Sequence, residues 1–333
     1  MSTAPKLVLL GGGTGSFTLL QGLKKLTPNI TAIVTMSDDG GSTGVLRDEL
    51  GVLPPGDVRQ CLVALSDTPE VRDLFSYRFT EGRFDGQSLG NIILSGLELR
   101  HGSFLKAIEV ASDILHICGS VVPVTFDKHT LVVYDGDVTH RGEHVVDGDV
   151  PLSADATVHL DPAPLLNPDA AKAVAEADLV VIAPGSLHTS LIPLLAVKGM
   201  SIALSASSAT VVWVANLINK PHQTDDWHVV DYVKQLERYA GEGRIDIVLY
   251  NNRPIEADLL LRYAQDGEYP VDTSAQRFDE INALAIGAHF VAPEVPAKQR
   301  GDTLQRTLIR HDTGAVSAEI KRLLVNTSKR SMQ

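Results

Sequence analysis

The sequence predicts an α/β protein with a doubly wound, mostly parallel sheet and a β-rich insertion. The first observation is an opening unit of apolar strand, glycine loop, amphipathic helix and second strand. The second is a series of buried-strand runs in the second half, each ending in small or polar residues. The third is the stretch 119–160, which has alternating strands around an Asp135–Gly136 turn, as antiparallel strands do.

The elements of the first half follow from local patterns. Residues 6–36 contain two short apolar runs, the second rich in β-branched residues, with apolar residues at helical spacing between them. Residues 46–115 have a mostly helical pattern. Within it, Asp57 and Ser88 are N-cap residue types and predict two helix starts.

The second half resumes the alternation of strands and helices. The predicted strands are ADLVVIAPGS, ATVVWVANL and RIDIVLYNN, with AHFVAPEV and TLIRHD as weaker candidates. A C-terminal helix is predicted over 319–324. Because no clear linker interrupts the chain, we expect residues 1–330 to form a single domain that carries the antiparallel insertion at 119–160.

Composition excludes several functional classes. The 333 residues carry a net charge of −12, which argues against general nucleic-acid binding because the protein would repel phosphate. Two distant cysteines do not support a disulfide framework. The chain begins without signal-peptide features and has no apolar run of membrane-helix length. We therefore expect a cytoplasmic protein without membrane insertion.

The glycine loop at residues 11–15 predicts a phosphate-binding turn. A loop from a strand's carboxyl end to a helix points several N–H groups at one place, and the helix dipole adds to them. Gly12, Gly13 and Gly15 allow a phosphate to approach, and Thr14 adds a hydroxyl donor. The alternatives are a tight turn without ligand and a dinucleotide fingerprint, which would be incomplete because Ser16 replaces its last glycine.

Two acidic residues end the second predicted strand. Asp38 and Asp39 could bind Mg²⁺, contact a ribose hydroxyl or cap the next helix. Asp57 fits a helix cap better than a ligand. Arg59, one turn into the same helix, could bind a phosphate through two parallel N–H bonds or form a surface ion pair with Asp48 or Glu49.

A second phosphate loop is predicted at 183–191, APGSLHTSL, where a buried strand ends at Gly185 and Ser186. Simple helix capping by Ser186 and Thr189 is the alternative interpretation. Two such loops on one sheet edge would suit a ligand with two phosphates.

No catalytic constellation appears in the sequence. The eleven histidines lack metal-site spacing, and no nucleophile-elbow motif is present. The pattern favours a site that holds a ligand over one that transforms it, and leaves open whether any reaction is catalysed.

The residues also resemble a known family. The segments that carry this likeness are LVLLGGGTGSFTLLQGLKKL, ITAIVTMSDDGGSTGVLRDELGVLPPGDVRQCLVALSD, GQSLGN, ADLVVIAPGSLHTSLIP and LIRHD. They are similar to the YvcK-type gluconeogenesis factors of the CofD-like superfamily, named for 2-phospho-L-lactate transferase. The likeness extends over nearly the whole chain.

The resemblance implies a function as well as a three-layer, Rossmann-like CofD-like fold. Members are associated with binding UDP-sugars such as UDP-N-acetylglucosamine, and act as regulators of cell shape and wall synthesis on gluconeogenic carbon sources. The related transferase joins phospholactate from a guanosine diphosphate donor to a deazaflavin, using Mg²⁺. We therefore expect a nucleotide diphosphate sugar as ligand. A bound Mg²⁺, a protein partner and a homo-oligomer stay open.

Site residues are carried over from the family at matching positions. They are Gly12, Gly13, Thr14, Gly15, Asp38, Asp39, Asn91, Gly185, Ser186, Tyr263 and Arg310. We expect Tyr263 to stack on the base or sugar and Arg310 to contact a phosphate, unless they are a core-edge tyrosine and a surface arginine. The chain departs from the family pattern at Gln87, at His188 and over 217–224.

Overall fold

The computed structural model describes residues 4–148, 150–293 and 308–330, without the side chains of 326–330. Its strands are β1 (Leu7–Gly11), β2 (Ile30–Val34), β3 (Ser120–Pro123), β4 (Thr130–Asp135), β5 (Val138–Arg141), β6 (Thr157–Asp161), β7 (Leu179–Ile182), β8 (Thr210–Val214), β9 (Ile247–Asn251) and β10 (Leu284–Ala288). Seven of them form one sheet in the order β10-β9-β8-β7-β1-β2-β3, with every pair parallel.

The helices form two groups that flank this sheet. They are α1 (Gly13–Leu23), α2 (Gly41–Leu50), α3 (Gly56–Leu65), α4 (Pro69–Ser76), α5 (Leu89–His101), α6 (Phe104–Leu115), α7 (Glu143–Asp147), α8 (Pro168–Glu176), α9 (Ile192–Leu195), α10 (Met200–Ala206), α11 (Val229–Ala240), α12 (Ala257–Gln265) and α13 (Thr313–Arg330). One group packs around α1, α3 and α13, and the other around α8, α10 and α11. The three-layer α/β fold predicted from the sequence is confirmed.

The central strands are apolar because both faces of the sheet are covered. All residues of β1 and β7 are buried, as expected for parallel strands between two helical layers. From β1 the chain proceeds outward to β2 and β3, then returns to β7 on the other side of β1 and continues to β10. The topological switch point therefore lies between β1 and β7, and ligands of such sheets bind at the carboxyl ends of the strands there.

The antiparallel insertion is present but begins later than predicted. Strands β4, β5 and β6 form a separate antiparallel sheet, and Gly136 occupies the expected turn with φ of 58°. The start at 119 is wrong, because β3 pairs in parallel with β2 at the edge of the main sheet. Gly119 makes this possible, since a Cβ there would overlap the carbonyl oxygen of Ile30.

Other helices and strands begin or end at different residues from those predicted. The helical stretch 46–115 is confirmed as α2 to α6, and the predicted helix 319–324 lies inside α13. The candidate AHFVAPEV largely follows β10, with Val291 in an isolated bridge to His311. Thr307 of TLIRHD, like Glu294 and Val295 of AHFVAPEV, lies outside the described residues. That residues 1–330 form a single domain stays a prediction.

Candidate functional site

The glycine turn joins the buried end of β1 to α1. Its backbone requires glycine: Gly13 has φ of 61°, and Gly12 caps α1 in an extended conformation without a side chain to bond the helix. A Cβ at Gly12 would overlap the carboxylate of Asp57, and a Cβ at Gly15 would overlap the carbonyl oxygen of Pro184. Thr14 is exposed at the tip of the turn.

The second turn follows β7, and Asn216 holds it by two hydrogen bonds. The Gly185 N–H donates to Asn216 Oδ1 at 3.1 Å, and Asn216 Nδ2 donates to the Gly185 carbonyl at 2.8 Å. Ser186 then precedes a π-helical turn, Leu187–Leu191, without capping it. Its Oγ is buried and finds no hydrogen-bond partner among the described residues. Capping by Ser186, the alternative left by the sequence, is therefore wrong.

The two turns meet at the switch point. Strands β1 and β7 are neighbours in the sheet, and Gly15 packs directly against Pro184 of the second turn. Both turns therefore present the start of a helical segment at the same place on the sheet edge. We call this place the crevice; it is bounded by the turns 11–15 and 183–187.

Asp57 is part of the crevice and does not cap α3. Pro55 is the N-cap of that helix, and Asp57 lies in its first turn, where its carboxylate accepts a hydrogen bond from the Gly13 N–H. Burial, followed by repulsion from Asp38, raises the pKa of Asp57 to about 7. The interpretation as a cap fails because two prolines and a glycine start the helix earlier than Asp57.

Asp38 and Asp39 do not act as a pair, because their side chains bond to different parts of the protein. Asp38 accepts from the Thr43 hydroxyl and from the Gly40 N–H, and burial raises its pKa. Asp39 accepts from the N–H groups of Glu143 at 3.0 Å and His144 at 2.7 Å, so it caps α7 of the insertion. Asp39 is therefore engaged with α7 in this conformation, and a metal site made by both carboxylates stays a prediction.

Glu143 adds a further acid that the sequence did not indicate. Burial, then repulsion from Asp38, Asp147, Asp39 and Asp57, raises its pKa to about 8. It reaches this place because Asp39 holds the first turn of α7 against the α2 side of the crevice. Backbone donors and carboxylates thus lie side by side at the crevice.

The comparisons with known proteins agree with this fold. Residues 7–291 match the family model described as 2-phospho-L-lactate transferase CofD. The chain belongs to the CofD family. Protein BH3568 from Bacillus halodurans, described as a member of the UPF0052 family, has a solved structure with a TM-score of 0.87 and 33% identity. The match covers 96% of this chain and 99% of that one.

Curated relatives within the family share one name. A putative gluconeogenesis factor of Thermotoga maritima is 39% identical over 96% of this chain and 99% of its own length. The gluconeogenesis factor of Bacillus subtilis is 36% identical over 97% and 99%. The chain spans 69% of the relative from Clostridium acetobutylicum and 64% of the one from Nostoc.

Arg59 and Asn91 of this CofD-family chain join α3 to α5. Arg59 is buried, and its Nε donates to Asn91 Oδ1 at 2.8 Å and its Nη1 to the Phe75 carbonyl at 3.3 Å. Asn91 also donates to Ser42 at the start of α2. The alternative of a surface ion pair is wrong, because burial in α3 directs the guanidinium toward α5. A phosphate contact stays a prediction.

The two family positions near the C-terminus, Tyr263 and Arg310, have different environments. Tyr263 is buried in a small apolar cluster with Leu217 and Val291, and its hydroxyl accepts from the Ile309 N–H at 3.0 Å. Stacking on a base is therefore wrong for this conformation, and Tyr263 is a core-edge tyrosine. Arg310 is half-buried beside this cluster, and its contact with a phosphate stays a prediction.

The segment that departs from the family pattern anchors α7. Buried His188 lies 3.3 Å from Gln223 through Nδ1, and Gln223 Nε2 donates to the Val146 carbonyl at 2.7 Å. Lys220 pairs with Asp147 at 2.6 Å. Burial lowers the pKa of His188 to about 4, so it is neutral at physiological pH. His188, Lys220 and Gln223 therefore bind α7 of the insertion and do not face the crevice.

Asp39→Ala should loosen α7 while leaving the sheet intact. The change removes two charge-assisted caps, at a cost of about 1–2 kcal/mol, so the N–H groups of 143–147 should exchange with solvent roughly 5-fold faster or more. Hydrogen exchange by mass spectrometry measures this, with exposed Asp48→Ala as the matched control. Unchanged exchange in Asp39→Ala would contradict the capping role.

The described residues contain neither a metal-ligand cluster nor a helix that could span a membrane. Among 4–148, 150–293 and 308–330, no three His, Cys, Asp or Glu side chains come together as a metal-binding group. Within the same part of the chain, no helix has both the length and the apolar character needed to cross a bilayer.

Proposed function

We propose that this protein binds a nucleoside diphosphate sugar of the UDP-N-acetylglucosamine type in the crevice, and that it acts as a regulator. The observation that carries the proposal is the meeting of two glycine turns at the switch point, with Gly15 packed on Pro184. Two helix starts side by side suit two linked phosphates better than one. The name gluconeogenesis factor borne by its relatives supports a role in growth on gluconeogenic carbon. The proposal takes cell shape and wall synthesis as the output from the family resemblance of the sequence.

Backbone N–H groups supply the phosphate contacts in this proposal. The first-turn N–H groups of a helix have no carbonyl partner inside the helix, so they seek an external acceptor. At α1 the Gly13 N–H already donates to Asp57, which indicates that this turn attracts an anionic oxygen. The Oγ of Ser186 is buried and has no hydrogen-bond partner in the described part of the chain, so it adds a donor from the second turn.

The carboxylates of the crevice require a cation in the complex. Asp38 and Asp57 repel each other and would repel a diphosphate. They fit Mg²⁺, which takes one or two carboxylates and completes its shell with phosphate oxygens and water. Mg²⁺ bound there would neutralise the diphosphate. Asp39 is already engaged elsewhere, because both of its oxygens accept hydrogen bonds from N–H groups of α7.

Binding without turnover fits the residues around the two turns. The histidine of the second turn, His188, is buried and bonded to Gln223, so it does not face a ligand as a base. Ser186 has no base bonded to its hydroxyl among the described residues. A nucleophile needs such a base within hydrogen-bonding reach.

Calorimetry with a graded ligand series tests the proposal. UDP-N-acetylglucosamine, UDP, uridine and pyrophosphate are titrated with Mg²⁺ and again with EDTA. We expect the diphosphates to bind, uridine to bind at least 100-fold more weakly than UDP, and EDTA to weaken binding at least 10-fold. Absence of UDP-N-acetylglucosamine binding at millimolar concentration, or equal binding of uridine and UDP, would overturn the proposal.

A phospholactyl-type transferase is the second candidate. The family description and the Asp38–Asp57 carboxylates beside the glycine turn favour it. Mg²⁺ on such carboxylates would stabilise the charge that develops on a leaving diphosphate. Incubation of the protein and Mg²⁺ with a guanosine diphospholactate donor and a deazaflavin should give no product. Formation of the phospholactyl deazaflavin would reverse the ranking.

A further inference from the structure

A cavity outside the crevice has the size of a small-molecule site. It encloses about 460 Å³ and lies between the end of α2 with its following loop and the chain that enters β4, with the end of β6 at its margin. Small-molecule sites in proteins have volumes of roughly 300–1,000 Å³. No residue of the two glycine turns lines it.

The floor of this cavity is apolar. Met36, Val52, Leu53 and Pro54 line it, and all four are buried in the folded chain. Met36 follows β2, and the other three form the loop between α2 and α3. Aliphatic side chains of this kind accept a hydrocarbon body of a ligand.

Arg47 contributes a positively charged guanidinium to the wall of the cavity. Its guanidinium lies 3.7 Å from Asp39 and 3.6 Å from Asp48, distances longer than a hydrogen bond. The other cation of the lining, Lys128, donates to the Gly51 carbonyl at 2.5 Å. Among the described residues of the lining, Arg47 is the cation whose planar guanidinium can bind a planar anion through two parallel N–H bonds.

Acidic side chains at the margin of the cavity favour a singly charged anion over a dianion. Three exposed carboxylates, Asp48, Asp127 and Asp161, line it together with the two cations. Asp161 pairs with Arg141 at 2.8 Å, and Asp127 accepts from the Leu165 N–H at 2.8 Å. This acidic margin repels a phosphate dianion more strongly than a singly charged carboxylate.

Arg47 and Asp39 connect the cavity to the crevice. Arg47 pairs with Asp39, and Asp39 caps α7 through the N–H groups of Glu143 and His144. A ligand carboxylate that draws Arg47 into the cavity removes positive charge from Asp39. The crevice then becomes more negative and holds a diphosphate less tightly.

We propose that this cavity is a regulatory site for a small carboxylic acid with an apolar body, whose carboxylate binds Arg47 and whose binding weakens nucleotide binding in the crevice. The occupancy of the cavity stands independently, whereas its effect on affinity rests on the proposed function. The coupling is reciprocal, so the nucleotide weakens binding of the acid by the same factor.

Ligand-observed NMR on the full chain tests the site with hexanoate as probe and hexyl phosphate as its dianionic counterpart. We expect hexanoate to bind, at least 5-fold more tightly than hexyl phosphate. Arg47→Gln should weaken hexanoate binding at least 5-fold, and the exposed control Arg100→Gln should leave it unchanged. Gly13→Asp, placed in the crevice, should also leave it unchanged.

The outcomes separate the two proposals. No hexanoate binding at millimolar concentration, equal binding in Arg47→Gln, or loss of binding in Gly13→Asp would overturn the cavity site. Tighter binding of hexyl phosphate would overturn the carboxylate assignment. Saturating hexanoate should raise the Kd of UDP-N-acetylglucosamine at least 3-fold in the parent protein and not in Arg47→Gln. If hexanoate binds but the Kd does not move, the regulatory role is wrong, and if the nucleotide fails to bind at all, only the crevice proposal fails.

Discussion

Gly13→Asp is expected to weaken UDP-N-acetylglucosamine binding by about 100-fold or more while the protein stays folded. The site tolerates a side chain, because the nearest atom to an added Cβ is Asp57 Oδ1 at 3.8 Å. The φ of 61° costs an aspartate about 1 kcal/mol. The new carboxylate would stand where the proposed function places a phosphate. A loss of about 3 kcal/mol of binding free energy, as an attraction becomes a repulsion, corresponds to a factor of roughly 100 in Kd.

The neighbouring glycines would not give a clean experiment. A Cβ at Gly12 or Gly15 overlaps Asp57 or Pro184, so those variants disturb the turns themselves. Gly96→Asp is the matched control, because Gly96 is exposed on α5 and no atom of the described residues lies within 4 Å of an added Cβ. Calorimetry in Mg²⁺ compares the variants. Undiminished affinity in a folded Gly13→Asp protein would contradict a phosphate site at this turn.

Asp57→Asn is expected to stabilise the protein at alkaline pH by about 2 kcal/mol, which is roughly 4 °C in Tm. The pKa of Asp57 rises from 3.8 unfolded to about 7 folded, so folding takes up a proton between these values. Stability therefore falls as pH rises through this window, and the full cost is present above pH 7. Asparagine keeps an oxygen for the Gly13 N–H but carries no charge.

The pH dependence distinguishes this effect from better packing. In EDTA, the gain in Tm of Asp57→Asn should be largest near pH 8.5, shrink as pH falls below 7 and vanish near pH 4. Exposed Asp73→Asn on α4 serves as the control. Scanning calorimetry from pH 4 to 8.5 measures both. A gain that is independent of pH would show that the charge of Asp57 is not the cause.

Local sequence patterns predicted the fold well, because the pattern of a strand or a turn spans only a few consecutive residues. The apolar runs of β1 and β7 are complete on their own, and parallel strands buried on both faces need no partner to be recognised. The antiparallel sheet was recognisable from one turn, Asp135–Gly136. Its start was missed because β3 has the same composition as a hairpin strand and differs only in its partner, β2.

The candidate site was predicted in outline but not in its chemistry. The turns at Gly13 and Gly185 were found, since glycines after a buried strand are a local signal. The roles of Asp39 and Tyr263 were not, because a carboxylate that caps a helix 104 residues away cannot be distinguished in sequence from a ligand. Glu143 gave no signal at all, as its surroundings come from other elements.

The sequence by itself determined which backbone stretches would be strands, helices and glycine turns, because these depend on residue order over a few positions. Only the tertiary structure decided that the turns after β1 and β7 are neighbours, that Asp57 faces Gly13 and that Arg47 links a cavity to the wall of the crevice. The physical reason is that these contacts depend on strand order and helix packing, which join residues far apart in the chain, and charge and burial at the site follow from those contacts.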